Sequence, residues 1–357
     1  MSSGRYTLHG LKLSYFTGKL EAYFRIRGIP FDYVEMDLAD FRRCARATGI
    51  AQMPQVETPD GDWLTDTTDI IAHFEAKLPA PGLRPTDPVA AFMSLLLEDT
   101  FDEWLWRPAL YYRWAFAEDA RLMSSQLART MLRDASGPFF LRRQVILRRQ
   151  RRVFLKQDGV TRTTAPQIED LYLRTLAMLE PILAARPYLF GQRPCEADFG
   201  LFGPFFRHFF SDPTPAGILR ERAPYTLAWV ARLWAATPER LGAADPVSTA
   251  PDDLAPLIAM ACDDYLPYLA ANAEACRAHA REVHWTCRGV SWRTPASPYR
   301  ARCLARLREY YQALAPAPRE AVSARLGAAA SALLAARQAA TDTAPAHPDR
   351  PRDRNWR

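Results

Sequence analysis

Two short stretches carry residues that together could hold a small acid. In Gln52-Met53-Pro54-Gln55-Val56 a strand opens on an X-Pro bond. Proline has no N–H to give a sheet ladder, so this strand starts at an edge whose main chain is left for another partner. In Leu64-Thr65-Asp66-Thr67-Thr68-Asp69-Ile70 a short strand, Asp62 to Thr65, runs into a helix whose first turn holds Asp66, Thr67 and Thr68. A first turn presents unpaired N–H groups and a partial positive charge, which favour a carboxylate. An extended main chain beside such a helix start suits a small peptide-like acid.

The elements that must position these residues follow from periodicity. Tyr6 to His9 and the alternating Phe31-Asp32-Tyr33-Val34-Glu35-Met36 read as strands, and between them Phe16, Leu20, Tyr23 and Phe24 recur at helical spacing until Gly28 and Pro30 stop the helix. Asp40 to Thr48 is a short arginine-rich helix closed by Gly49, the Asp60-Gly61 pair turns a hairpin, and Thr67 to Leu78 is a helix with Ile70, Ile71 and Phe74 inward. Residues 6–78 therefore predict the order β-α-β-α-β-β-α. Pro79-Ala80-Pro81-Gly82-Leu83-Arg84-Pro85 is stiff and turn-rich, a linker. Beyond it no stretch shows convincing strand alternation, and residues 88–340 are expected to be mostly helix.

Composition narrows the classes. A chain of 357 residues is long for one domain and comfortable for two. The net charge of +6 and pI near 9.0 come almost wholly from arginines spread along an Ala-, Pro- and Arg-rich sequence, since the only lysines are Lys12, Lys19, Lys77 and Lys156. No basic-plus-aromatic binding module is recognisable, so no nucleic-acid partner is expected. The six cysteines show no small-scaffold spacing and no charged-then-apolar leader precedes Tyr6, which points to a reducing, cytoplasmic setting. No apolar run approaches the ~18 residues of a transmembrane segment.

The order Met-Pro, hairpin, then Asp-Thr-x-Asp-Ile opening a helix resembles the glutathione S-transferase superfamily. A second mark is Tyr188-Leu189-Phe190-Gly191-Gln192-Arg193-Pro194-Cys195-Glu196-Ala197-Asp198, similar to that family's turn and helix start. There a hydroxyl cap and an acid three residues on satisfy free N–H groups reciprocally. Here Cys195 replaces the hydroxyl, and a thiol is a poorer acceptor. The arginine-rich insertion most resembles the metaxin-like and Fax-like bacterial branch. The resemblance implies an α+β chain: a thioredoxin-like, glutathione-binding domain over residues 1–80 and an all-α domain over 88–245. A helical extension of unassigned role over 252–341 and a disordered tail over 342–357 would follow. It implies glutathione as co-substrate, a cis Met53-Pro54 bond, pairing of the Met53 main chain with the cysteinyl part, and the γ-glutamyl end at Asp66 and Thr67. It further implies a pocket for a second, electrophilic and apolar substrate along the long helix, near Trp104, Tyr111 and Tyr112, and allows a homodimer.

Glutathione chemistry needs a group that stabilises the thiolate, because the unperturbed thiol pKa lies above neutral and only the thiolate attacks well. A hydroxyl at the start of the first helix can serve, and Ser14, Tyr15 and Thr17 stand there. Counting back from Gly28 as in serine-type members selects Ser14, with Tyr15 the second candidate. The loop has no Cys-x-x-Cys, which excludes a thioredoxin-type exchanger. Gln52 stands where the family often has a lysine for the glycine carboxylate, a role left to Arg42, Arg43 or Arg46. The competing class is a non-catalytic interaction module with this fold, docking a protein or membrane through its basic helix.

Three further segments carry expectations. Residues 139–158 form an arginine-rich helix with an apolar side, either a solvated face or an amphipathic dock. Cys276-Arg277-Ala278-His279 and His284-Trp285-Thr286-Cys287 have zinc-ligand types. On one continuous helix the pairs would lie about 12 Å apart, too far to share an ion; a site would require a break near Arg281, and no metal is expected. Arg319 to Thr341 is expected to be one alanine-rich helix, and the Pro-, Asp- and Arg-rich tail from Thr343 has nothing to bury.

Overall fold

The structure is a computed structural model and describes residues 4–242 and 247–336. The first layer is β1 (Tyr6–Gly10), α1 (Tyr15–Ile26), β2 (Phe31–Glu35), α2 (Leu38–Thr48), β3 (Gln55–Glu57), β4 (Trp63–Thr65) and α3 (Thr67–Glu75). The strands stand in the order β2-β1-β3-β4, with β1 parallel to β2 and antiparallel to β3. This is the thioredoxin-like arrangement expected of the first 78 residues. Leu8, Val56, Tyr23, Phe24, Ile70 and Phe74 fill the space between sheet and helices.

A helical region follows: α4 (Pro88–Trp104), α5 (Trp106–Ala115), α6 (Ala117–Thr130), α7 (Phe139–Gln150) with a π-helical turn over Arg151–Lys156, α8 (Ala165–Ala185), α9 (Glu196–Pro204), α10 (Pro213–Arg222), α11 (Pro224–Ala235) and α12 (Pro238–Leu241). α9 crosses α4 so closely that a Cβ at Gly200 would lie 2.6 Å from the Glu98 carbonyl oxygen. Asp198 ties the start of α9 to the preceding turn and to α11 by accepting from the N–H groups of Cys195 and Leu189, at 3.0 and 3.1 Å, and from the Trp229 indole at 3.1 Å. α1 is clamped to α4 by Lys19, whose buried ammonium binds Glu98 at 2.5 Å and also Asp102. Burial alone would lower its pKa, yet the two carboxylates hold it raised and charged.

The extension is mostly helical, as expected, but adds a hairpin where no strand alternation was recognised. α13 (Ala255–Met260) and α14 (Leu266–Arg277) are followed by a hairpin, β5 (Glu282–Cys287) and β6 (Val290–Pro295), before α15 (Pro298–Ala313), α16 (Pro316–Leu326) and α17 (Ala328–Ala335). Val283, Trp285 and Cys287 alternate inward against Trp292 and Thr294, and the connecting residues Arg288 and Gly289 both take positive φ, at 47° and 77°, as a two-residue hairpin turn requires. The alternation also separates the zinc-type residues, because His284 faces solvent while Cys287 is buried. The helix expected from Arg319 to Thr341 breaks at Gly327, whose φ of 81° ends α16. Its last residues, the tail over 342–357 and the expected boundary at 245 lie outside the described residues. Among the described residues no helix is long and apolar enough to cross a membrane.

Candidate active site

β1 ends at Gly10, and the following turn closes through the Ser14 N–H on the Leu11 carbonyl at 2.8 Å. Arg113 pins it from outside. Its Nη1 donates to the Leu13 carbonyl at 2.7 Å, while Nε and Nη2 hold the buried Asp212 carboxylate at 2.8 and 2.9 Å. The turn delivers Ser14 as the N-cap of α1, its Oγ accepting from the Thr17 N–H at 3.4 Å. Among the described residues the Ser14 O–H has no acceptor, and no acidic side chain in the first turn offsets the helix's partial positive charge.

Met53 precedes Pro54 across a cis bond, and its main-chain N–H and C=O have no protein partner among the described residues. Ser14 and Met53 border one cavity of about 370 Å³. Leu11 and Phe41 wall it on the N-terminal side, Trp106, Leu110 and Trp114 from α5, and Ile146, Val153 and Phe154 from α7 and its π turn. The loop after β6, Ala296 and Ser297, and the first turn of α15, Pro298 to Arg300, close another side. Polar groups gather near it: Arg300 donates to Glu103 at 3.0 Å, and Asp158 accepts from the Trp106 indole at 3.0 Å. Burial pushes the Asp158 carboxyl up, with Arg300 and Arg107 opposing.

Tyr15 also borders the cavity but spends its hydroxyl on other partners, and further residues singled out from sequence lie off the cavity. Tyr15 is 2% exposed and its hydroxyl donates to the carbonyls of Phe101 and Asp102, at 2.6 and 3.2 Å, so that proton is committed to α4. Burial first, then the Asp102 charge, holds its pKa well above the ordinary value. Thr17 is buried against Gly10, where a Cβ would lie 2.6 Å from its hydroxyl oxygen. Trp104, Tyr111 and Tyr112 do not border the cavity, a correction with a plain cause. At 100° per residue Trp106, Leu110, Arg113 and Trp114 share the face of α5 that meets it, and Tyr111 and Tyr112 are turned away from that face. Tyr111 instead donates to Glu169 at 2.6 Å, Tyr112 stacks on Phe116, and Trp104 packs on Tyr265 and Tyr268.

Asp66 and Thr67 do stand at the start of α3, but they are covered. The Asp66 side chain is 7% exposed; Oδ1 accepts from the Thr68 N–H at 3.2 Å and Oδ2 faces the Arg302 guanidinium of α15 at 3.5 Å. The sequence offered no sign that an arginine more than two hundred residues away would lie on this carboxylate. Arg113 and Arg300 were missed too; the one available signal was a cation, Arg113, inside an otherwise apolar aromatic run. Arg43 is engaged with Asp40, Glu57 and the ring of Trp63. It also lies 3.1 Å from His9 Nε2, beside the one trio of metal-ligand types among the described residues, His9, Asp40 and Cys44. The Arg43 guanidinium already lies on that trio, and burial pushes the Cys44 thiol up to about 12.

Residues 8–82 match the family model of the glutathione S-transferase N-terminal domain. No curated protein matches the chain. Among solved structures, FzlA of C. crescentus is similar at 17% identity over 64% of this chain and 88% of its own, with a TM-score of 0.41. A glutathione S-transferase of Methylobacterium radiotolerans, in complex with glutathione sulfonate, shares 20% identity over 70% and 97%, TM-score 0.40. The beta-etherase LigF of Sphingobium sp. strain SYK-6 shares 17% over 67% and 98%, TM-score 0.46.

Proposed function

We propose that this chain, whose N-terminal domain belongs to the glutathione S-transferase superfamily, is an enzyme that transfers glutathione to an apolar electrophile. The observation that carries the reading is that the hydroxyl of Ser14 and the main chain of Met53, both without a protein acceptor or ladder partner among the described residues, border one cavity whose other walls are largely apolar. In this reading the Met53 main chain pairs with the cysteinyl part of glutathione. The Ser14 hydroxyl donates to the sulfur and, with the partial charge of α1, favours the thiolate over a thiol whose ordinary pKa is about 8.5. The sulfur lone pair then forms the S–C bond; with a halide the electrons of the broken bond leave with it, and with an epoxide or unsaturated carbonyl they pass to the ring oxygen or the enolate, which takes up a proton from solvent. The γ-glutamyl end takes Asp66 and Thr67, its ammonium replacing Arg302 on the Asp66 carboxylate.

A conjugation assay against a panel of aryl halides, epoxides and unsaturated carbonyls tests this. Wild-type protein should turn over at least one class, and Ser14→Ala should lose about tenfold or more near neutral pH, the equivalent of about one unit in thiol pKa. Glutathione binding without conjugation of any electrophile would leave the fold as a non-catalytic interaction module.

A further inference from the structure

We propose that the outward face of α7 and the π turn after it docks on an anionic phospholipid bilayer. Residues 139–157 carry six arginines and Lys156 with no aspartate or glutamate among them. On the same segment stand three of the five exposed large apolar side chains among the described residues, Phe140 at 63%, Leu141 at 50% and Val145 at 55%. At 100° per residue Phe140, Leu141, Val145 and Arg148 share one face, while Ile146 points the other way into the core. Arg148, Arg151, Arg152 and Lys156 are exposed beyond the apolar turn.

This is the pattern of a helix lying in the membrane interface, with apolar side chains entering the acyl boundary and cations at the headgroups. Two other occupants fit less well. A second copy docking by the same face would bring two such cationic segments together without a counter-charge. A nucleic acid would set its phosphates against Leu141 and Val145, with Phe140 alone able to stack. The inner side of the same segment supplies Ile146, Val153 and Phe154 to the cavity, so docking would bring bilayer-dissolved electrophiles to it. That last link rests on the transferase reading, whereas the docking does not.

Vesicle flotation tests the proposal with the full chain and without glutathione. Phosphatidylcholine vesicles containing phosphatidylserine should bind the protein at least about tenfold more strongly than pure phosphatidylcholine, with binding falling as salt rises. Phe140→Ser with Leu141→Ser and Val145→Ser, and separately Arg148→Glu with Arg152→Glu, should each lower that binding by about tenfold while leaving the thermal midpoint in place, since these side chains are exposed. Equal binding to both vesicle types, no binding, or anionic binding that survives both variants would overturn it. So would a wild-type dimer in light scattering that the triple serine variant dissolves, because a second copy would then cover the face.

Discussion

Ser14 and Tyr15 are adjacent in the chain, yet only Ser14 keeps a hydroxyl proton to give. Tyr15 spends its own on two carbonyls of α4, so Tyr15→Phe should lower stability by about 1–2 kcal/mol in denaturant melts and leave the pKa of a bound thiol where it was. An unchanged melt with a raised thiol pKa would pass the catalytic role to Tyr15. His208, another residue of the cavity wall, bonds through Nδ1 to the Ala109 carbonyl at 3.0 Å. Burial first, then the Arg113 charge, holds it neutral, well below its ordinary 6.5. The unfolded chain takes up that proton as pH falls below about 6.5 and the folded chain does not, so this residue's contribution is intact above that pH. Below it stability should fall at up to about 1.4 kcal/mol per unit. Asp99 and Asp198 act oppositely: burial pushes both carboxyls from 3.8 to about 6, so between those values the folded state holds more protons and gains from acid. The difference between wild type and His208→Gln isolates the histidine. It should shrink as pH drops below about 6.5, and a pH-independent difference would mean that His208 titrates normally.

At the scale of elements, α15 matters most, because it brings Arg302 to Asp66 and Arg306 to Asp99 at 3.5 and 3.2 Å. If the γ-glutamyl ammonium must displace Arg302, then Arg302→Ala should tighten glutathione binding in calorimetry by up to about fivefold, the equivalent of roughly 1 kcal/mol for a partly exposed pair. Weaker binding would instead make Arg302 a receptor for the ligand's carboxylate. The first layer was legible in sequence because strand alternation, the Gly28 and Gly49 stops and the Met53-Pro54 turn are all local signals. The hairpin was not. Val283, Trp285 and Cys287 do alternate, but their partner face comes from α14 and the aromatic cluster holding Arg107, which no local window contains. The face of α5 was misread because aromatic residues ring this helix: Trp106 and Leu110 meet the cavity, whereas Tyr111 stands about 140° round from Trp106 on the same helix.

Among the described residues a large apolar core runs from Leu8 in β1 to Leu334 in α17, a second cluster of Leu11, Phe41, Leu110, Trp114 and Ile146 lies at the cavity, and buried ion pairs such as Lys19 with Glu98 and Arg300 with Glu103 cross between the parts of the larger core. The chain should therefore unfold in a single calorimetric transition, with matching calorimetric and van't Hoff enthalpies; two resolved transitions would mean that the extension folds as a separate unit. The cavity draws on all of these parts, since the N-terminal layer supplies Ser14 and Met53, α5 and α7 the apolar walls, and the end of β6 with the start of α15 the remaining side. The central claim is that these parts converge on a glutathione sulfur, and the most direct measurement is a pH titration of the thiolate's ultraviolet absorbance with glutathione bound. In wild type the bound thiol should ionise well below the ordinary value of about 8.5, and in Ser14→Ala its pKa should rise by about one unit or more while the dissociation constant stays nearly the same. A bound thiol that ionises at the ordinary value in both proteins would contradict the account.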